Sequence, residues 1–486
     1  MVTADSARAR VRLARLAARG EAAGGRVEAD VRRIIARVRR AGDGALLAFT
    51  RRFDGVTLRR GALRVPKEAM AAAYSSLPGR VRGDLELAAR RIRVFHARQR
   101  ERSWSFRDAS GARLGQRIEP LARVGVYVPG GRAAYPSTVL MTVIPARVAG
   151  VGEVIAVSPV GKDGDAPIIL AACHLAGVDS LFRIGGAQAV AALAYGTESV
   201  PRVDKIVGPG NVWVATAKRL SFGQVDIDSI AGPSEVLVVA DGGADAELVA
   251  ADMLAQAEHD PLAAAICVTP DRRLAARVAA ALDRQLASLP RRAVAARALA
   301  NFGAIVVTRS LARALEIANR LAPEHLELAV RAPRRWLARV RHAGAVFLGQ
   351  DAPEAFGDYL AGPNHVLPTG GTARFASPLG VYDFVKRTSV IEAGPRTLAR
   401  LGPAVVRLAR LEGLDGHGRA VERRLAGVGS PRGPAAGRGR GPKRSLAPHT
   451  PAPVRGIRVG ASVSAGSRPR PAAAHRPTTP HRRGGR

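Results

Sequence analysis

Between residues 120 and 350, short apolar runs of three to five residues alternate with longer segments of helical period, and this constrains the fold more than any other feature. Strands are expected at Val124–Val128, Glu153–Val157, Ser180–Arg183 and Lys205–Val207. Helices are expected between them at Val139–Val148, Ile168–Leu175, Gln188–Tyr195 and Val212–Leu220. A second series follows, with strands at Glu235–Val239, Ala265–Val268, Ala304–Val307 and Gly344–Phe347, and helices at Ala244–Glu258, Arg272–Ala287 and Leu311–Leu321. Strands joined through helices pair in parallel, so the chain reads as an α/β protein with two packed sheets and a cleft between them. Ahead of these, residues 1–120 read as helical, with apolar residues at helical spacing in Val27–Arg40 and Leu85–Arg98. The expected division is 1–120, 121–234, 235–379 and a small element at 380–425, with a strand-like Ser389–Glu392 and a helix from Arg396.

The charge lies partly outside this pattern. The chain carries a formal +35, from 75 basic and 40 acidic residues. Residues 426–486 hold 13 Lys or Arg and no Asp or Glu, leaving +22 on the rest. With 10 Pro, 11 Gly and no aromatic residue, this tail lacks the apolar surface that would offset ordering, and it reads as a disordered extension. Its charge suffices for non-specific polyanion binding, but it lacks the stacking aromatics of a single-strand binder, so nucleic acid is not the expected partner. No uncharged apolar run approaches the ~18 residues of a membrane span. Cys173 and Cys267 are too few for a disulfide scaffold, and residues 1–20 lack the apolar core of a secretory signal. A cytoplasmic enzyme is the expectation.

Several polar segments break the apolar pattern. Gln256 and His259 stand three residues apart at a helix end, as a pair of metal ligands or as a surface histidine near a helix terminus. Glu324 and His325 follow Pro323, either as acid–base groups or as an exposed helix start. Gly357–Gly371 is a Gly/Pro-rich loop with Asp358 and His365 seven residues apart, which reads as a site or as a plain hinge. Gly208-Pro209-Gly210-Asn211 and Gly232-Pro233-Ser234 are turns that admit close approach of a ligand or simply end strands. Glu412 to His417 interrupt the C-terminal helix. No Gly-x-Gly-x-x-Gly dinucleotide fingerprint occurs. Both cysteines sit in apolar runs; a metal-free aldehyde dehydrogenase with Cys267 as nucleophile is the rival enzyme class, and a polyanion-binding protein with an inactive α/β body is the rival outside catalysis.

Taken together, seven blocks closely resemble the histidinol dehydrogenase family: RVGVYVPGG at 123–131, KIVGPGN at 205–211, AGPSEV at 231–236, QAEHDP at 256–261, APEHLEL at 322–328, NHVLPTGG at 364–371 and EGLDGH at 412–417. The resemblance runs from about residue 25 to 425. It implies two Rossmann-like domains and an intertwined homodimer with shared active sites. The implied reaction is the last step of histidine biosynthesis, L-histidinol to L-histidine through L-histidinaldehyde, with two NAD and one zinc ion per subunit. Carried over by motif, the zinc ligands are Gln256, His259, Asp358 and His417, the last supplied by the partner subunit. Glu324 and His325 fall on the acid–base pair. Ser234, Gln256, His259, Glu324, His325, Asp358, His365, Glu412 and His417 fall on substrate-contacting positions. Tyr127, Gln188 and Asn211 fall on NAD-contacting positions. One departure is Gly416, where the family tends to have Ala, and glycine there loosens a helix by about 1 kcal/mol.

Overall fold

The computed structural model describes residues 1–4, 6–17, 25–130 and 134–427. Gly131 and the basic tail from residue 428 onward therefore lie outside the described residues. The chain divides into two compact units, 1–402 and 403 onward, with the division inside the helix Pro395–Leu411.

The first unit contains two six-stranded sheets, each largely parallel. The first runs, in spatial order, Arg64–Val65, Ser180–Arg183, Glu153–Ser158, Arg123–Tyr127, Lys205–Val207 and Asp226–Ile227. Only the short edge strand Arg64–Val65 is antiparallel to its neighbour. The two-residue period sends Val124, Val126 and Val128 to one face, against the helix Pro136–Ala149. Tyr127, Ile155 and Val157 go to the other, against Gly186–Tyr195 and Gly25–Phe53. Both faces are covered, which is why these strands read as continuous apolar runs. Each fully buried Val, Leu or Ile contributes roughly 1.5–3 kcal/mol.

The second sheet runs Val2–Thr3, Ala304–Val307, Ala264–Thr269, Glu235–Ala240, His325–Ala329 and Ala345–Leu348. Val236 and Val238 pack on the helix Ala246–Ala257, while Leu237, Leu326 and Leu328 pack on Leu311–Leu321. Asp245, Asp271 and Ser310 cap helices of this sheet through their side chains, accepting from Glu247 N, Leu274 N and Arg313 N. The strand at residues 2–3 pairs with Val306 and Val307, so the chain's first residues belong to this sheet. A third, antiparallel sheet of Val385–Glu392, Arg113–Pro120 and Trp104–Arg107 extends the strand expected at 389–392 and adds two strands inside the 1–120 region expected to be helical, which corrects that expectation for its last part.

In the second unit the helix Asp415–Ala426 folds back on the end of Pro395–Leu411. Gly418 makes the close approach: a Cβ there would stand 3.8 Å from Val406 Cγ1. Arg410 and Glu422 pair across the two helices at 2.5 Å.

Candidate active site

Two edges of the first unit carry the polar residues picked out by sequence, apart from Glu412 and His417. At the first sheet, chain order reverses between the strands Arg123–Tyr127 and Lys205–Val207, and such a reversal opens a crevice at the carboxyl ends of a parallel sheet. Tyr127 ends one of these strands. Its buried phenol accepts a hydrogen bond from Gly186 N at 3.0 Å, and burial pushes its pKa up to about 12. Gln188 stands in the first turn of the helix Gly186–Tyr195; its Oε1 is buried with no hydrogen-bond partner among the described residues. Asn211 caps the helix Val212–Ser221, with Oδ1 accepting from Trp213 N at 3.0 Å and Val214 N at 3.2 Å.

The turn between them is clamped. Gly208 has φ +110°, and a Cβ there would lie 2.3 Å from Tyr127 O, so only glycine fits. Its N–H donates to Asp228 Oδ2 at 2.7 Å, and the buried Lys218 Nζ donates to its carbonyl at 3.0 Å and to Asp228 Oδ1. Nearby, Asp54 is pushed up to about 6 by burial, with Oδ2 unpartnered among the described residues. None of Asp54, Lys218 and Asp228 stands out as a site residue in the sequence, because each reads as an ordinary charged or turn residue until its burial is known.

The second cluster lies at the opposite, amino edge of the second sheet. Ser234 immediately precedes one central strand and Glu324 the next, on which His325 is the first residue, paired with Val236. This corrects the alternative of an exposed helix start: Glu324 and His325 are both buried. The alternation of His325-Leu326-Glu327-Leu328 was the available signal, since it puts both leucines into the core and His325 and Glu327 on the other face.

His325 Nδ1 stands 3.0 Å from the carbonyl of Glu235. A carbonyl only accepts, so Nδ1 carries the proton and Nε2 bears the lone pair. Nε2 is buried without a hydrogen-bond partner among the described residues, and Asp358 Oδ1 lies 4.0 Å away. Burial pushes the imidazole down to about 4, with Asp358 opposing, so it is neutral at physiological pH. Glu324 Oε2 accepts from Glu235 N at 2.9 Å and lies 3.7 Å from His325 Nδ1.

Asp358 belongs to a short helix, Glu354–Tyr359, rather than to the loop expected at 357–371. His365 does stand on that loop, which is stitched in place at both ends. Asn364 Nδ2 donates to Met141 O at 2.6 Å, Gly370 N donates to Glu235 Oε1 at 2.9 Å, and Gly232 N donates to Thr369 Oγ1 at 2.6 Å. The loop thereby ties the helix Pro136–Ala149 to the entry of the second sheet. His365 Nε2 is also buried and unpartnered among the described residues, and burial lowers its pKa.

Gln256 is fully buried near the end of the helix Ala246–Ala257. In the orientation that satisfies its neighbours, its Nε2 donates to Glu354 Oε1 at 2.8 Å and Oε2 at 3.1 Å. His259 lies just past the helix, exposed, with Nδ1 3.3 Å from Gln256 O. The charges of Asp358 and His259 both act on His325 and on His365, so these four groups share one locality. Glu354 is held well above the usual carboxylate range by burial and then by Asp358 and Glu324. Behind it, Glu327 is pushed up to about 9 by burial and by Asp252, with which it shares a hydrogen bond. Asp252, Glu327 and Glu354 were not visible as site residues in the sequence.

Amide, imidazole and carboxylate donors with buried, unpartnered imidazole nitrogens suit a borderline cation such as zinc. Among the described residues no three His, Cys, Asp or Glu side chains converge on one point. Of the expected ligands in this unit only His259 and Asp358 are of those types, the third being the amide of Gln256. Glu412 and His417 are in the second unit, both exposed, His417 in the first turn of Asp415–Ala426. Cys267 lies inside a central strand, fully buried and pushed up to about 12, so it offers no thiolate nucleophile.

These features define an α/β enzyme with a buried, neutral imidazole flanked by carboxylates and a separate parallel-sheet crevice. Residues 17–425 match the family model described as histidinol dehydrogenase. The chain is 57% identical to the histidinol dehydrogenase of Syntrophotalea carbinolica over 413 residues, 85% of this chain and 96% of that one. It is 53% identical to that of Geobacter metallireducens over 420 residues, 86% and 96% of the two chains. The crystal structure of histidinol dehydrogenase from Elizabethkingia anophelis superposes with a TM-score of 0.82 at 34% identity, covering 86% of this chain and 97% of that one. The chain belongs to the histidinol dehydrogenase family, whose members are oxidoreductases. No helix among the described residues is long and apolar enough to cross a membrane.

Proposed function

We propose that this chain oxidises L-histidinol to L-histidine through L-histidinaldehyde, the last step of histidine biosynthesis, as a cytoplasmic homodimer. The observation that carries the reading is His325: a neutral imidazole whose tautomer is set by Glu235 O and whose bare Nε2 is enclosed in a polar site beside Asp358. On this reading Gln256, His259 and Asp358, with His417 supplied from the 380–425 dimerisation element of the partner subunit, would hold one zinc ion per subunit. Zinc, when bound, would supply Lewis-acid polarisation and a point of attachment for the substrate. NAD, two per turnover, supplies the hydride acceptor from the first of two Rossmann-like domains, 121–234 and 235–379, with Tyr127, Gln188 and Asn211 contacting it. Ser234, His365 and Glu412 contact the substrate.

His325 Nε2 takes the hydroxyl proton as the alcohol carbon loses hydride to give the aldehyde. As Glu324 takes a proton from the water that adds to the aldehyde, His325 returns its own proton to the aldehyde oxygen; neutral again, it takes the proton released as the hydrate gives up its hydride to the second NAD. Enclosure of these groups holds the aldehyde between the two steps, which avoids loss of a reactive intermediate.

The test is NADH formation with L-histidinol before chelation, after it, and after zinc is restored. His325→Asn should slow both oxidations sharply, by 10²–10⁴-fold as for loss of a general base. Glu324→Gln should leave the first oxidation nearly intact and impair the conversion of added aldehyde. Near-normal rates in both variants would refute the roles given to them.

A further inference from the structure

An amide is a ligand only through its oxygen, yet its oxygen and nitrogen ends have almost the same shape. A buried glutamine free to turn would present N–H hydrogens to a cation as readily as its lone pairs, so something in the structure must choose the face. Around Gln256 the choosing group is the Glu354 carboxyl, whose acceptor oxygens face the NH2 end. In the amide orientation that satisfies its neighbours, Gln256 Nε2 lies 2.8 Å from Glu354 Oε1 and 3.1 Å from Oε2, and Oε1 then faces away from that carboxyl.

Glu354 is itself held. It is 3% exposed, and its backbone N–H donates to Glu327 Oε1 at 2.9 Å. It opens the helix Glu354–Tyr359, and Asp358 follows four residues later on the same helical face. Its other close neighbour is His325 Nδ1 at 3.7 Å, but that nitrogen is already committed to Glu235 O at 3.0 Å. The short contact of the carboxylate is therefore the amide.

We propose that Glu354 is the positioning residue that aims the Gln256 side-chain oxygen at the metal, so that one turn of helix delivers one ligand directly in Asp358 and orients a second through Glu354. The proposal rests on the zinc reading above. Outer partners of this kind are worth 10–100-fold in metal affinity.

The test is a double-mutant cycle on zinc affinity, read with the full chain by competition against a chromogenic chelator. Glu354→Ala should weaken zinc 10–100-fold, and Gln256→Ala at least as much. In the Gln256→Ala background, adding Glu354→Ala should change affinity less than two-fold, because the group it orients is gone. Glu354→Gln keeps an acceptor oxygen and should recover most of the loss. If circular dichroism shows Glu354→Ala unfolded, Glu354→Met, which fills the same volume without an acceptor, takes its place in the cycle. Unchanged affinity in Glu354→Ala, an undiminished loss in the Gln256→Ala background, or a Glu354→Gln variant as weak as the others overturns the proposal. A wild-type chain that holds zinc no better than Gln256→Ala overturns the zinc reading itself, and this inference with it.

Discussion

Replacing Lys218 by Met tests whether the clamp on the Gly208 turn is structural as well as functional. Lys218 is 1% exposed and its ammonium has two partners, the Gly208 carbonyl at 3.0 Å and Asp228 Oδ1. The Asp228 side chain is itself only 4% exposed. Methionine fills most of the lysine's volume, so the loss is electrostatic rather than a cavity. It strands a buried carboxylate, which costs about 3–5 kcal/mol when one partner of such a pair is removed. Asp228→Asn strands the ammonium instead and should cost a similar amount. The double variant leaves no uncompensated charge and should cost clearly less than the sum of the two. Urea unfolding followed by tryptophan fluorescence, with Trp213 on the same helix as Lys218, gives the stabilities. The KM for NAD should rise in Lys218→Met, because the 208–211 turn is freed at the proposed cofactor crevice. Strict additivity, or a Lys218→Met stability within 1 kcal/mol of wild type, would refute the reasoning.

Two further perturbations bear on buried groups. Glu327 has a folded pKa of about 9 against 4.5 for the free side chain, so the folded state keeps a proton that the unfolded state has lost between those values. Stability from this group is therefore full below about pH 4.5 and falls as pH rises toward 9. Glu327→Gln removes that slope, so its Tm should gain on wild type as pH is raised from 5 to 9; parallel Tm–pH curves would contradict the buried Asp252–Glu327 pair. Cys267→Ala should retain histidinol-dependent NADH formation while losing about 1–2 kcal/mol of stability to a small cavity in the strand. Abolished turnover in a folded Cys267→Ala chain would instead favour thiol chemistry.

Local periodicity alone determined much of this protein. The strands Ser180–Arg183, Lys205–Val207 and Ala304–Val307 and the helix Leu311–Leu321 coincide with the residues read from sequence, because a strand buried on both faces needs an unbroken apolar run and an amphipathic helix a 3.6-residue stripe. The seven motif blocks likewise pointed to the family. Tertiary structure decided what depends on residues far apart in the chain. Residues 2–3 pair with 306–307, and the Arg113–Pro120 strand pairs with Val385–Glu392, pairings that carry no local signature. It also decided that the acid–base candidates enter at the amino edge of the second sheet and that Asp358 rides on a helix. Finally, it created the chemistry of Glu327, Glu354 and Lys218. A carboxylate or ammonium in a sequence is an ordinary surface charge, and only burial against particular partners, through the cost of desolvation, turns it into a proton store, an amide's anchor or a clamp.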